Sequence, residues 1–302
     1  MAELSISHHQ EKKKAALTSV LAAVGLTSFK IVVGIFTGSL GILAEAAHSS
    51  LDLVAALVTF FAVRISGKPA DEEHLYGHGK IENLSALFET LLLLATCVWI
   101  VYEAIQRLFF RSVEVEVSIW AFVVMFVSIV VDINRSKMLY AAARKHNSQA
   151  LEADALHFST DIWSSSVVIL GLIGVWLSEK FPQLGFLRHA DAVAAMGVAL
   201  IVIFISLELG RRTIKALMDA APQGVVNDIR EAVEQLPGVV NCHQIRVRSS
   251  GAETFVDCHV MVDGTWSLQR THDLADEIEA VIQKRLPGAD VTVHPEPAMV
   301  EK

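Results

Sequence analysis

Six stretches in the first 213 residues, at about 15–36, 39–63, 83–107, 117–141, 150–176 and 190–211, run apolar for the roughly 20 residues a helix needs to span ~30 Å of hydrocarbon. No small-residue cleavage site leading into a soluble domain follows the first of them. The next begins almost at once, after Thr37-Gly38-Ser39, so the first reads as a span and not as a leader. Beyond Ala216 the pattern changes to short elements punctuated by Pro222, Pro237 and Pro287. It predicts a helix over 227–236 and two alternating strands over 243–249 and 253–262, turning at Ser250-Gly251. An amphipathic helix over 268–286 and a short strand over 291–294 complete the order. The expected fold is a polytopic α-helical membrane protein with six transmembrane helices plus a small α+β domain of order αββαβ, its helices on one face of the sheet. The chain divides into a tail at 1–14, the helical domain at 15–213 and the α+β domain at 214–302.

Composition narrows the class. Apolar residues make up 53% and charged residues 19%, against ~45–50% and ~25% in soluble chains, and mean hydropathy is +0.46. Disorder and collagen-like structure are excluded, and an ordinary soluble enzyme is disfavoured. The net charge of −8 excludes a strongly basic nucleic-acid binder, and only −2 of it falls in residues 1–213 while −6 falls in 214–302. One set of span flanks is rich in basic residues, among them Lys12, Lys13, Lys14, Arg64, Lys68, Lys80, Arg135, Lys137, Arg144 and Lys145. The other has only Arg107, Arg111, Lys180 and Arg188, which places both termini in the cytoplasm. Cys97, Cys242 and Cys258 form no Cys-x-x-Cys pair, so neither a disulfide framework nor a thiolate zinc cage is indicated. Lys30 lies deep in the first span and must snorkel or pair with a carboxylate such as Glu45.

The second span reads Ala44-Glu45-Ala46-Ala47-His48-Ser49-Ser50-Leu51-Asp52, and the fifth reads Asp154-Ala155-Leu156-His157-Phe158-Ser159-Thr160-Asp161. His-x-x-x-Asp places an imidazole and a carboxylate one turn apart on one helix face. Two such pairs offer the two nitrogens and two oxygens of a tetrahedral zinc site, although the same donors suit other divalent metals. Both pairs fall near mid-membrane, where an ionised Asp costs ~3 kcal/mol or more, and a bound dication offsets that cost. The bland reading is that these side chains only hydrogen-bond helices together. Glu45, one turn from His48, is a candidate to orient it. Glu152, Asp154 and Asp132 lie near inner helix ends, where interfacial solvation accounts for them; His8, His9, His146 and His189 read as tail or loop residues.

The loop after the second span holds Asp71, His74 and His78, compatible with a three-ligand metal site or with a solvated polar turn. In the α+β domain, alternation puts His259 on the face opposite Cys258 and Val260, and His294 and Glu296 on the face opposite Val293. His243 and His272 approach the same surface from a strand start and a helix start.

Six spans, paired tetrads, a His-bearing loop and a metallochaperone-like C-terminal domain together resemble the cation diffusion facilitator family over nearly the whole chain. The resemblance implies a homodimeric exporter that moves cytosolic divalent metal outward in exchange for protons. It marks His48, Asp52, His157 and Asp161 as the transport site and Asp71, His74 and His78 as a loop site. It marks His243, His259, His272, His294 and Glu296 as the cytoplasmic-domain site, with Glu296 where some relatives have Asp. His48 stands where broader-range bacterial members carry Asp, so the donor set is similar to that of zinc-preferring members, Cd2+ coming second. The resemblance further implies a charge interlock between Lys80 and a carboxylate after the sixth span, such as Asp219, and a bacterial inner-membrane location. Zn2+ is then both cargo and regulatory ion, with no organic cofactor and no nucleic acid. Two rivals remain: a zinc sensor without transport, and an intramembrane metal-dependent hydrolase, which lacks His-Glu-x-x-His and an obvious open metal position.

Overall fold

Gly38, at φ +64°, makes the left-handed turn between the first two helices. α1 (Ala2–Thr37) ends just before it, and Ser39 caps α2 (Leu40–Ser66) by accepting the Ile42 N–H at 3.4 Å. The computed structural model describes residues 2–109, 119–180 and 190–298. Four more long helices follow: α3 (Lys80–Phe109), α4 (Ile119–His146), α5 (Gln149–Lys180) and α6 (Ala190–Leu217). Each apolar stretch, over its described residues, therefore lies on a helix, and most helices outrun the stretch at their polar ends. Residues 2–14, expected as a tail, belong to α1. Three described segments, His9–Thr37, Glu45–Ser66 and Lys80–Gln106, are long and apolar enough to cross a bilayer by length and composition. Arg111, Arg188 and His189 lie outside the described residues.

Packing in this bundle inverts that of a soluble one. Buried positions are largely small, including Ala16, Ala23, Ala55, Ala56, Ala150 and Ala155, whereas Leu21, Phe36, Leu51, Trp99, Phe126 and Phe204 face outward. Large apolar side chains outside suit lipid, and small ones inside let helix backbones approach closely. At Gly34 of α1 a Cβ would already collide with Leu43 of α2. The most extensive pairings are α1 on α2, α3 on α6 and α4 on α5, with α2 also meeting α5.

The C-terminal domain matches the expected order closely: α7 (Val225–Glu234), β1 (Asn241–Ser250), β2 (Glu253–Asp263), α8 (Leu268–Arg285) and β3 (Asp290–Ala298). β2 is central, antiparallel to β1 and parallel to β3. Ser267 caps α8 by accepting the Arg270 N–H at 3.3 Å. Leu274, Ile278 and Ile282, spaced four apart on α8, are buried with Ile229 and Val233 of α7 against Val256, Cys258 and Val260 of β2. One face of the sheet is thus committed to the core, and the other carries His259 and its neighbours.

Candidate metal centres

The four-residue spacing on α2 and α5 projects both His-Asp pairs between the helices, and the two pairs meet. His157 Nε2 lies 3.2 Å from Asp52 Oδ1 and 3.8 Å from Asp161 Oδ2. His48 Nε2 lies 3.9 Å from Asp52 Oδ1 and 3.9 Å from Asp161 Oδ1. Tetrahedral zinc with bonds of ~2.0–2.1 Å separates its donors by about 3.3 Å. The donor atoms of His48, Asp52 and Asp161 lie within 4.8 Å of one another, and His157 joins them through its contacts with the two carboxylates. The side chains of Asp52, His157 and Asp161 are 12%, 8% and 17% exposed, against 44% for His48, so the cluster is reached from the His48 side. A cavity of about 90 Å³ adjoins it, lined also by Lys30, Glu45 and Asp132. That volume has room for several waters, at ~10–15 Å³ of such space each.

The intervening loop gathers its three residues around one carboxylate. Asp71 Oδ1 is 3.2 Å from His74 Nδ1, and Oδ2 is 3.3 Å from His78 Nε2. Backbone N–H groups of His74 (2.7 Å) and Glu73 (3.1 Å) donate to Asp71 Oδ1. The His74 backbone bond is the largest influence holding the Asp71 carboxyl below its ordinary value, so it stays an ionised acceptor. Gly77, at φ +71°, closes the turn that brings His78 back, its N–H donating to the His74 carbonyl at 2.9 Å.

On the sheet, His243 of β1 stands opposite His259 of β2, which stands opposite His294 of β3. The row converges on Glu296: His259 Nδ1 is 2.7 Å, His243 Nε2 3.3 Å and His294 Nε2 3.8 Å from its carboxylate oxygens. The hydrogen bond with His259 chiefly holds the Glu296 carboxyl below its usual range. His272 is not brought into this group. It sits on α8, 4.0 Å from Asp276, with both side chains well exposed.

Other expectations need revision. Glu45 faces Lys30 Nζ at 3.3 Å, the pairing its location suggested for the buried lysine. Asp154, expected at a solvated helix end, is fully buried and accepts the Ser19 hydroxyl at 3.2 Å. Asp132 is buried against Arg135 at 3.3 Å, and the Arg135 guanidinium lies 3.5 Å from the Phe158 ring centre. Glu152 behaves as expected, in a partly exposed pair with Arg212 at 2.7 Å. His146 is no loose loop residue: its side chain is buried 2.9 Å from Glu11. Lys80 meets Asp219 at 2.9 Å. Sequence reasoning passed over Glu82 and Glu89, both fully buried on α3. Glu82 holds Lys12 at 2.5 Å and Ser66 at 2.7 Å and accepts from Ser148; Glu89 accepts from Thr59. Their spacing of seven, from the start of an apolar span into it, was a legible signal that they share an inward face.

Comparison with known proteins agrees with this architecture. Residues 16–218 match the family model for the cation efflux transmembrane domain, and 221–298 that for the cation efflux protein cytoplasmic domain. The cation-efflux pump FieF of Yersinia enterocolitica is 32% identical over 291 residues, covering 95% of this chain and 93% of its own. FieF of Klebsiella pneumoniae is 32% identical over 288 residues, with the same coverage. Among solved structures, a MamM CTD variant aligns at 25% identity over 25% of this chain and 96% of its own, with a TM-score of 0.24, too low to bear on the fold. With both domains matched end to end, the chain belongs to the cation efflux, or cation diffusion facilitator, family of membrane metal transporters.

Proposed function

We propose that the chain is a homodimeric, proton-coupled exporter of divalent metal, with Zn2+ as first cargo and Cd2+ second, in a bacterial inner membrane. Family membership makes it a membrane cation transporter and not an enzyme, which removes the hydrolase reading. In the proposal α1 to α6 are the six spans, both termini are cytoplasmic, and residues 214–302 form the metal-binding and dimerisation domain. His48, Asp52, His157 and Asp161 hold the cargo; Asp71, His74 and His78 form a loop site; His243, His259, His294 and Glu296 form a regulatory site. His272 is left as a ligand that a partner copy or a metal-bound form would have to recruit.

One observation carries the transport reading. Two carboxylates and two imidazoles from two helices converge beside a small cavity, with His–Asp approaches of 3.2–3.9 Å. Two buried carboxylates match the charge of a dication, and the mixed N/O set is one that zinc accepts. Metal requires deprotonated ligands, so protons and metal compete, and imidazole with a free pKa of ~6.5 places the competition near neutrality. Loading at cytosolic pH and release by protons on the far side then amount to exchange. The half-exposed His48 against the buried ties of Lys12 and Glu82 fits a conformation closed toward the cytosol.

The test is zinc uptake by inside-out reconstituted vesicles with lumenal pH recorded together. The unaltered chain should take up zinc and alkalinise an acidic lumen, and Asp52→Ala or Asp161→Ala should abolish both while the protein remains dimeric. Zinc binding without flux would favour the sensor reading, and undiminished flux in the variants would reject the site.

A further inference from the structure

The cavity beside the tetrad contains a cation of the protein's own. Lys30, 4% exposed in α1, lines the same cavity as His48, Asp52, Asp161 and Asp132. Its Nζ donates to Ser49 Oγ at 2.8 Å and to Glu45 at 3.3 Å, and Ser49 is the residue after His48. One turn back on the same face of α1, the Thr27 hydroxyl donates to the Ser49 carbonyl at 3.0 Å. α1 thus grips α2 at the residue next to a proposed ligand. Burying an ammonium costs several kcal/mol, an outlay that a structural hydrogen bond to Ser49 does not by itself require.

Of the charged groups that line the cavity, two acids have a cation beside them. Asp132 is matched by Arg135 at 3.3 Å, and Glu45 by Lys30 at 3.3 Å. Asp52 and Asp161 are left for the cargo, and with neutral imidazoles their charge equals that of one dication. Without Lys30, Glu45 would present a third negative charge at the cavity's entrance. A site in excess of the ion's charge binds tightly and releases slowly.

We propose that Lys30 is a resident counter-cation that fixes the charge of the transport cavity at two, setting both its preference for a dication and its capacity to let the dication go. Lys30 is a positioning and charge-setting residue; it does not ligate the metal. The proposal rests on the reading of the tetrad as the transport site.

The experiment measures zinc flux into vesicles against buffered free zinc. Lys30→Met should lower KM and kcat together, each about tenfold for one charge removed near the site at intermediate dielectric. Glu45→Gln, at a side chain half exposed, should shift KM the opposite way because Lys30 then repels the ion unopposed. The double variant should return KM toward that of the unaltered chain, and Lys30→Arg should retain it. A merely structural lysine would give falling kcat in every variant with the double the worst, and that outcome overturns the proposal, as do single variants that move KM in the same direction or leave it unmoved. Glu45→Gln keeps the test decisive if Lys30→Met does not fold. Absence of flux in the unaltered chain would instead reject the transport reading itself.

Discussion

Among the four tetrad residues His48 is the most exposed, at 44% of its side chain, and in the proposed site it is a neutral donor that can be exchanged as a test of selectivity. Replacing its nitrogen by a carboxylate oxygen exchanges a borderline donor for a hard one and adds a negative charge. His48→Asp is expected to relax the zinc preference toward Cd2+ and other dications; metal-competition flux titrations with unchanged ranking would remove the histidine from that role. At the sheet, Glu296 titrates below its usual range because His259 bonds to it. With the folded value depressed, its contribution is fully present above the unfolded value of ~4.3 and is lost as pH falls through the folded one. Thermal unfolding of the zinc-free protein from about pH 6 to 3 should show an acid-side loss that Glu296→Gln reduces; equal slopes would mean the carboxylate is not held by the histidines.

Elements were more legible than their inward faces. Runs of twenty apolar residues announce helices whatever surrounds them, and period-2 alternation placed His259 and Cys258 on opposite faces of β2, as the burial of Cys258 bears out. The buried charges were not legible in the same way. Arg135 reads as a basic flank residue and Asp154 as an interfacial acid, since a lipid-facing helix is apolar outside and small or polar inside, and its periodicity is faint. What fixes their burial is tertiary: Ser19 of α1 bonds both, at 3.1 Å to Arg135 and 3.2 Å to Asp154. Glu82 does similar work at the helix ends, tying α1 through Lys12, α2 through Ser66 and the start of α5 through Ser148. Removing one partner of such a pair strands the other, at a cost of roughly 3–5 kcal/mol, whereas replacing both by apolar groups is far milder. Lys12→Met should therefore lower the unfolding temperature in detergent sharply, and Lys12→Met with Glu82→Leu should recover most of it. A double variant as unstable as the single would show that the pair itself does not carry the effect.

At the scale of the whole molecule, the proposed transport cycle predicts that the ties around Glu82 part. The site lies between α2 and α5, and its cytosolic approach, in the proposed orientation, runs past the ends of those helices where Ser66 and Ser148 share the Glu82 carboxylate. In the proposed cycle, the state in which both serines hold it keeps α2 and α5 together at that end and closes the cytosolic route. The three native cysteines are all buried, so introduced thiols react against a quiet background. Ser66→Cys with Ser148→Cys, joined by a short bifunctional thiol reagent, is expected to stop zinc flux while a reducible version of the link restores it on cleavage. Either cysteine alone, treated identically, should retain flux. Continued transport through the linked protein would mean that the cytosolic route opens elsewhere in the bundle, between α3 and α6 or α1 and α4, and that Glu82 is a stabilising tie with no part in access. The Lys80 to Asp219 pair, which joins α3 to the segment after α6, would then be the next contact to link, because it bounds the other side of the same cytosolic end.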